Sequence, residues 1–208
     1  LADLTHELRT PVSVIQGNLE GMLDGVYPAD PAHLNPVLEE VRLLSRLIDD
    51  LRTLSLTESG ALELHLEPTD LEVLAGEVAA AYRPQAEEQA IALSLDFPDG
   101  LPLLELDPIR IREVLVNLLT NALRHTPAGG EVRIVAIRDP VRRVATVTVT
   151  DRGSGIRPEV LAHIFDRFYK SDGSGGSGLG LTIAKSLVVA HGGEIEAVSP
   201  PGAGTTVR

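Results

Sequence analysis

Asn117-Leu118-Leu119-Thr120-Asn121-Ala122-Leu123-Arg124-His125 closes an apolar run over 109–124 that has the spacing of an α-helix. Leu115, Leu118, Leu119 and Ala122 fall on one side of that helix. Asn117, Asn121 and Arg124, at i, i+4 and i+7, fall on another. The apolar side has to be buried, so the amide-and-guanidinium side faces something open. Amide oxygens are hard ligands that suit Mg²⁺, and a guanidinium pairs with phosphate oxygens. The same two asparagines could also make only local hydrogen bonds on an ordinary surface. Pro108 marks the helix start, where its missing N–H costs nothing.

Outward from this helix, strand and helix patterns alternate. Residues 131–137 and 144–150 are rich in β-branched side chains and read as two strands joined near Asp139-Pro140. A half-buried strand is expected over 91–97, and Asp70 is placed to cap a helix running to about position 90. Residues 179–191 form a helix closed by Gly192-Gly193, and 194–198 with 205–207 make a last hairpin. The expected architecture over 69–208 is an α/β two-layer sandwich with a mixed sheet.

Two glycine-rich stretches flank these elements. Asp151-Arg152-Gly153-Ser154-Gly155-Ile156 follows directly on a strand. A carboxylate at a strand end can accept the exocyclic amine of a purine, and glycines let backbone approach a flat ring. A plain turn has the same letters. Gly176-Ser177-Gly178-Leu179-Gly180-Leu181 opens a helix, and N–H groups at such a start bind phosphate. Gly173, Gly175 and Gly178 match GxGxxG but follow Phe168-Tyr169-Lys170 and no strand, so a dinucleotide fold is disfavoured. A Walker A sequence is absent, as are the HRD and DFG motifs of serine/threonine kinases.

Residues 1–59 have a different texture. Leu34, Val37, Val41, Leu44, Ile48 and Leu51 recur at alternating spacings of three and four, an a/d seam. Leu4, Leu8, Ile15, Leu19, Met22 and Val26 make an earlier stripe, and the Pro- and Gly-bearing stretch 25–36 separates the two. A helical hairpin results, and two lone helices cannot bury such stripes, so a four-helix homodimer completes it. Residues 60–68 read as a hinge, with a short extended piece over 61–66. On the first helix, His6-Glu7-Leu8-Arg9-Thr10-Pro11 lacks the second histidine of a zinc protease HExxH. What remains is an imidazole beside a carboxylate that can leave one ring nitrogen nucleophilic, or a solvated face carrying a histidine. Pro11 removes a backbone hydrogen bond one turn earlier and should bend the helix there.

Composition narrows the function further. The 208 residues carry 18 Lys and Arg against 30 Asp and Glu, a net charge of −12, so nucleic-acid phosphates repel the chain. Aromatics make up 3% with no Trp, so the core is aliphatic and base-stacking platforms are scarce. There is no Cys, which excludes disulfides and thiolate metal sites. No stretch reaches the length of a membrane span. The absence of an initial Met suggests a fragment, so membrane attachment is expected only through missing upstream segments.

In this order and at these intervals, the motifs together are highly specific. The chain resembles the catalytic core of a two-component sensor histidine kinase. HELRTP is similar to the H box, NLLTNALRHTP to the N box, DRGSGI to the first glycine box and IFDRFYKSD to the F box. GSGLGL and the GAGT of 202–205 are similar to the later glycine boxes. The resemblance implies a histidine-phosphotransfer hairpin followed by a Bergerat (GHKL) ATP-binding sandwich, shared with gyrase and MutL-type ATPases.

The resemblance also implies roles. His6 would accept phosphate, Glu7 would orient it or take its proton, and Arg9 would hold the phosphoryl group. Thr10 matches the position that places water when such kinases dephosphorylate a partner. Asn121 falls on the Mg²⁺ ligand, and Asn117 stands where hydrolytic relatives carry a Glu base. Arg124 and Lys170 match phosphate contacts, and His125 lies beside adenine or ribose. Asp151 would read the adenine, with Gly153, Gly155 and Ile156 shaping its pocket. Gly178, Leu179 and Gly180 would wrap the triphosphate, and Thr205 belongs to the last box. The implied cofactors are ATP and Mg²⁺, and the implied partners are a second copy and a response regulator receiver domain in the cytoplasm. The loop between Tyr169 and Gly178 is shorter than the family's usual ATP lid. Phosphate transfer would require a large movement between hairpin and sandwich.

Overall fold

Two antiparallel helices begin the chain: α1 (Ala2–Leu23) and α2 (Pro31–Glu58). In this computed structural model, residues 2–98, 100–139, 144–169 and 177–208 are described. α1 continues through Pro11, whose side chain is buried. The turn is shorter than the expected 25–36. Asp30 caps α2 by accepting from the backbone N–H of His33 at 3.2 Å, and Pro31 occupies the first turn. Pro36 therefore lies inside α2. Tyr27 stacks on the His33 ring at 5.1 Å, and a Cβ at Gly21 would lie 2.5 Å from the Tyr27 ring. Gly21 thus gives the turn room to fold back on α1.

After α2 comes the connector. Gly60 adopts φ +66°, which an L side chain resists. The extended piece expected over 61–66 falls later, at β1 (Glu67–Thr69), which pairs antiparallel with β3 (Leu104–Leu106). A side-chain cap from the sandwich ties the connector further, because Asp107 Oδ2 accepts from the His65 N–H at 3.0 Å.

The sandwich has one helical layer on one sheet. α3 (Leu71–Glu88) and α4 (Pro108–His125) are capped by Asp70 and Asp107, each accepting two backbone N–H groups. Such caps contribute about 1 kcal/mol apiece. The sheet runs β2 (Ala92–Asp96), β4 (Glu131–Asp139), β5 (Val144–Asp151), β7 (Thr206–Val207), β6 (Ala197–Val198). β2 pairs parallel with β4 and every other pairing is antiparallel, so the sheet is mixed as expected. α5 (Pro158–Leu161) is a single turn, and α6 (Gly180–Ala190) packs against α4. Leu119, Ile134, Leu179, Ile183 and Leu187 are fully enclosed at the centre of this aliphatic core.

α2 also packs on α6, and its Leu47 and Leu54 are buried in the same core as the sandwich. Those leucines lie off the a/d seam read from the sequence. Of that seam, Leu34, Val41 and Ile48 stay exposed. α2 thus carries one apolar face toward the sandwich and a second, unpartnered one outward.

Candidate functional site

At the C-terminal end of α4, a cavity of 770 Å³ opens between α2, α4, the end of β5 and the start of α6. It gathers most of the residues singled out in the sequence. Asn117, Asn121, Arg124, His125, Asp151, Gly155, Ile156, Gly178, Gly180 and Thr205 all line it. The buried side of α4 holds Leu115, Leu118, Leu119 and Ala122, which turns the polar face into the cavity wall. Neither asparagine amide hydrogen-bonds to a described residue, so both oxygens are available. Gly180 keeps the approach to Asn117 open, since a Cβ there would lie 3.2 Å from the Asn117 Oδ1.

Asp151 ends β5 with its side chain 5% exposed. Its Oδ1 accepts from the N–H groups of Gly153 at 2.8 Å and Thr205 at 3.1 Å. Oδ2 is left to the cavity. The glycines around it are required by contact. A Cβ at Gly153 would sit 2.4 Å from the His125 carbonyl oxygen, and one at Gly204 only 2.0 Å from that of Asp151. Gly155, at φ +71°, would collide with the Pro200 carbonyl at 2.3 Å. Gly153 itself stands behind the cavity wall and acts as a spacer.

Leu179 takes part in this loop through its backbone alone. Its side chain is fully enclosed in the core, anchoring the start of α6 rather than facing a ligand. Only its backbone, whose N–H donates to Ser177 Oγ at 3.2 Å, belongs to the loop. Lys170 and the remainder of the loop, 171–176, lie outside the described residues.

The electrostatics are mixed. Burial lowers the His125 pKa, Arg124 lowers it further and Asp151 opposes, so the ring is neutral near neutral pH. Asp50 on α2 also lines the cavity. Burial, reinforced by Glu113, pushes its carboxyl up to about 6, against the pull of Arg46 and a hydrogen bond with Ser177. Among the described residues no cluster of three or more His, Cys, Asp or Glu could hold a metal. A hard cation held by one amide oxygen together with ligand phosphates fits the free Asn121 side chain.

His6, Glu7, Arg9 and Thr10 do not line the cavity. They sit on α1 with His6 exposed, and Thr10 Oγ1 donates to the His6 carbonyl at 3.4 Å. Leu8, on the same turn, packs against the core. Sequence reasoning missed Asp50, Arg46, Glu113 and Ser199. The first three needed knowledge of which face of α2 meets the sandwich. Ser199 had a local signal in its place just before the GAGT box, where Gly204 and Thr205 lie, but its third partner, the Ile156 N–H, is distant in sequence.

Fold and cavity together define an α/β sandwich with an open polar cavity, carrying a helical hairpin. The family model for histidine kinase-, DNA gyrase B- and HSP90-like ATPases matches residues 106–208, and the phospho-acceptor His Kinase A domain matches residues 1–60. The chain is 37% identical over 213 residues to the signal transduction histidine-protein kinase BaeS of Escherichia coli, covering 100% of this chain and 45% of BaeS. The structure of histidine kinase AdeS from Acinetobacter baumannii superposes with a TM-score of 0.84 at 31% identity, over 97% of this chain and 95% of that one. Full-length ShkA in complex with AMPPNP gives 0.77 at 30% identity, over 99% of this chain and 44% of that one. The chain belongs to the histidine kinase family, and it spans less than half the length of the curated relatives it matches.

Proposed function

We propose that the chain is the catalytic core of a two-component sensor histidine kinase, which phosphorylates His6 from ATP and passes the group to an aspartate of a response regulator receiver domain. The observation that carries this reading is the single cavity uniting the Asn117–Asn121 face, Asp151 and the helix start at Gly178–Gly180. AMPPNP bound to ShkA supports an adenine nucleotide as the ligand.

In this reading Asp151 Oδ2 accepts the adenine amine, and Arg124 pairs with phosphate oxygens beside the N–H groups opening α6. The Asn121 amide oxygen would hold Mg²⁺, which would supply charge neutralisation at the phosphates when bound. An unprotonated ring nitrogen of His6 attacks the γ-phosphorus. The N–P bond forms as the bond to the β,γ-bridging oxygen breaks, and ADP leaves. Glu7 holds the proton on the other ring nitrogen, which keeps the attacking one nucleophilic. A carboxylate of the receiver domain then takes the phosphoryl group, the N–P bond breaks and His6 is restored. Asn117 cannot act as a base toward water, which disfavours simple ATP hydrolysis. Thr10 and Arg9, on the exposed turn beside His6, would place water or phosphoryl oxygens when the regulator is dephosphorylated.

Residues 1–59 act as the dimerisation and phosphotransfer unit, 60–68 as the hinge and 69–208 as the ATP-binding unit. The exposed apolar face of Leu34, Leu38, Val41 and Ile48 supports a second copy as the hairpin's partner. Lys170 keeps its proposed phosphate contact. The test is label transfer from γ-labelled ATP·Mg²⁺. Acid-labile, base-stable label on the wild type and none on His6→Gln is expected. Free phosphate released at equal rates by both, with no labelled protein, would contradict the reading.

A further inference from the structure

Ser199 is 4% exposed and lies between the two backbone stretches that form the base end of the cavity. Its Oγ accepts from the Ile156 N–H at 2.7 Å. It donates to the Gly204 carbonyl at 3.0 Å, and it lies 2.9 Å from Thr205 Oγ1. A serine hydroxyl has one proton and two lone pairs. A carbonyl can only accept, so the Ser199 proton goes to Gly204. The Ile156 N–H occupies one lone pair. The contact with Thr205 can then be made only if Thr205 donates its own proton to the second lone pair. Thr205 Oγ1 is left with lone pairs alone to offer the cavity it lines.

Beside it, Asp151 Oδ2 is also an acceptor, since Oδ1 takes the N–H groups of Gly153 and Thr205. The base end therefore presents two acceptors side by side. A purine with an amine at C6 brings donors to them, directly or through water. A purine with a carbonyl at C6 brings a third acceptor, whose lone pairs have no proton to meet. Polar groups left unpaired in this way are what let a site reject an analogue strongly.

We propose that Ser199 is a positioning residue for base selection: by consuming the Thr205 proton it fixes that hydroxyl as an acceptor and biases the site toward 6-amino over 6-oxo purine nucleotides. The inference rests on the adenine-nucleotide reading of the cavity. Without Ser199, the Thr205 hydroxyl is free to rotate and donate to a 6-carbonyl.

Titrations of ADP and GDP into the full chain, with Kd read by calorimetry, test this. The wild type should prefer ADP. In Ser199→Ala the ADP-to-GDP preference should fall by roughly three- to tenfold, the size of one neutral hydrogen bond, with GDP binding improving. Thr205→Val removes the acceptor itself and should lower the preference even if Ser199→Ala does not fold. Adding Ser199→Ala to Thr205→Val should change the preference no further. A Ser199→Ala protein that loses ADP and GDP affinity equally, or a Thr205→Val protein with wild-type preference, would overturn the inference and leave Ser199 a structural tie. A wild type that binds both nucleotides equally would overturn it while sparing the nucleotide reading. A wild type that binds neither would overturn both.

Discussion

The hairpin and the sandwich solve the burial problem in opposite ways. The sandwich encloses its largest aliphatic side chains itself, with Leu119, Ile134, Leu179, Ile183 and Leu187 all within 1% of full burial. The hairpin leaves Leu34, Leu38, Val41 and Ile48 between 43% and 60% exposed along one face of α2, while Leu47 and Leu54 on another face join the sandwich core. A self-contained unit can hold a ligand cavity in fixed shape. A helix with two apolar faces instead rests one of them on the sandwich and, in the proposed dimer, offers the other to a second copy. In the proposed function the rigid chemistry of nucleotide binding therefore falls to the sandwich and the exchange of partners to the hairpin.

The sharpest way to break this division is to damage each region separately. Asn121→Ala should lower nucleotide binding and phosphate label by at least about a hundredfold, because the Mg²⁺ that would neutralise the phosphates then loses its amide ligand. Its melting temperature should hold, since the amide has no partner among the described residues; a large drop would mean that Asn121 is structural. Gly204→Ala should act the other way. At φ +81° its Cβ meets the Asp151 carbonyl at 2.0 Å, so the strand end has to move. A loss of about 3 kcal/mol, or roughly 6–12 °C in melting temperature, is expected by calorimetry.

On the hairpin, Leu38→Glu with Val41→Glu should weaken self-association by about a hundredfold or more in sedimentation experiments, because two charges enter an apolar contact. ADP affinity should stay at the wild-type value. A fall in both would show that the sandwich depends on the dimer.

The smallest effect concerns the seam between the regions. Asp50 has its pKa raised from 3.8 to about 6 by burial between α2 and the cavity. Its neutral form therefore favours the packed arrangement, fully so below pH 4, and this contribution is lost as pH rises through about 6. Asp50→Asn should flatten the pH dependence of melting between pH 4 and 7. At pH 7 it should add about 2–4 °C, the effect of about 1 kcal/mol for a half-exposed, partly screened group. An unchanged pH profile would place the carboxyl outside the seam.

Much of the sandwich was legible because its signals are local. Asp70 caps a helix from two and three residues away, and α4 announces itself by its own periodicity and by Pro108 in its first turn. The candidate site was legible for a related reason: its cavity residues come in short runs, each held on one element end. What escaped reading was set by distant contacts. The a/d seam of α2 was correctly seen as apolar, but no local rule says that Leu47 and Leu54, off that seam, meet α6. β1 forms where β3 can pair with it, some residues beyond the extended piece expected. Leu179 reads as the start of a helix, and its burial at 0% exposure is set by the core beneath that first turn, which no local signal reveals. His191, read simply as a residue at a helix end, donates from Nδ1 to the Leu187 carbonyl at 2.8 Å and accepts the Asp107 N–H on Nε2 at 3.2 Å. It ties the end of α6 to the cap of α4. That cap in turn holds the connector. Burial raises the Asp107 carboxyl, yet the N–H donors of His65, Arg110 and Ile109 outweigh it and keep the pKa below the usual range.

In the proposed function the sandwich binds nucleotide while α2 rests across the cavity, and transfer to His6, which does not line it, requires the two to separate. The chain has no Cys, so a pair introduced as Asp50→Cys and Ser177→Cys would be the only thiols present. Label transfer from γ-labelled ATP to His6 should be measured on this variant before and after oxidation. At least a tenfold loss of label in the cross-linked form, recovery on reduction, and ADP binding retained throughout are expected. Full labelling of His6 in the cross-linked protein would contradict this reading.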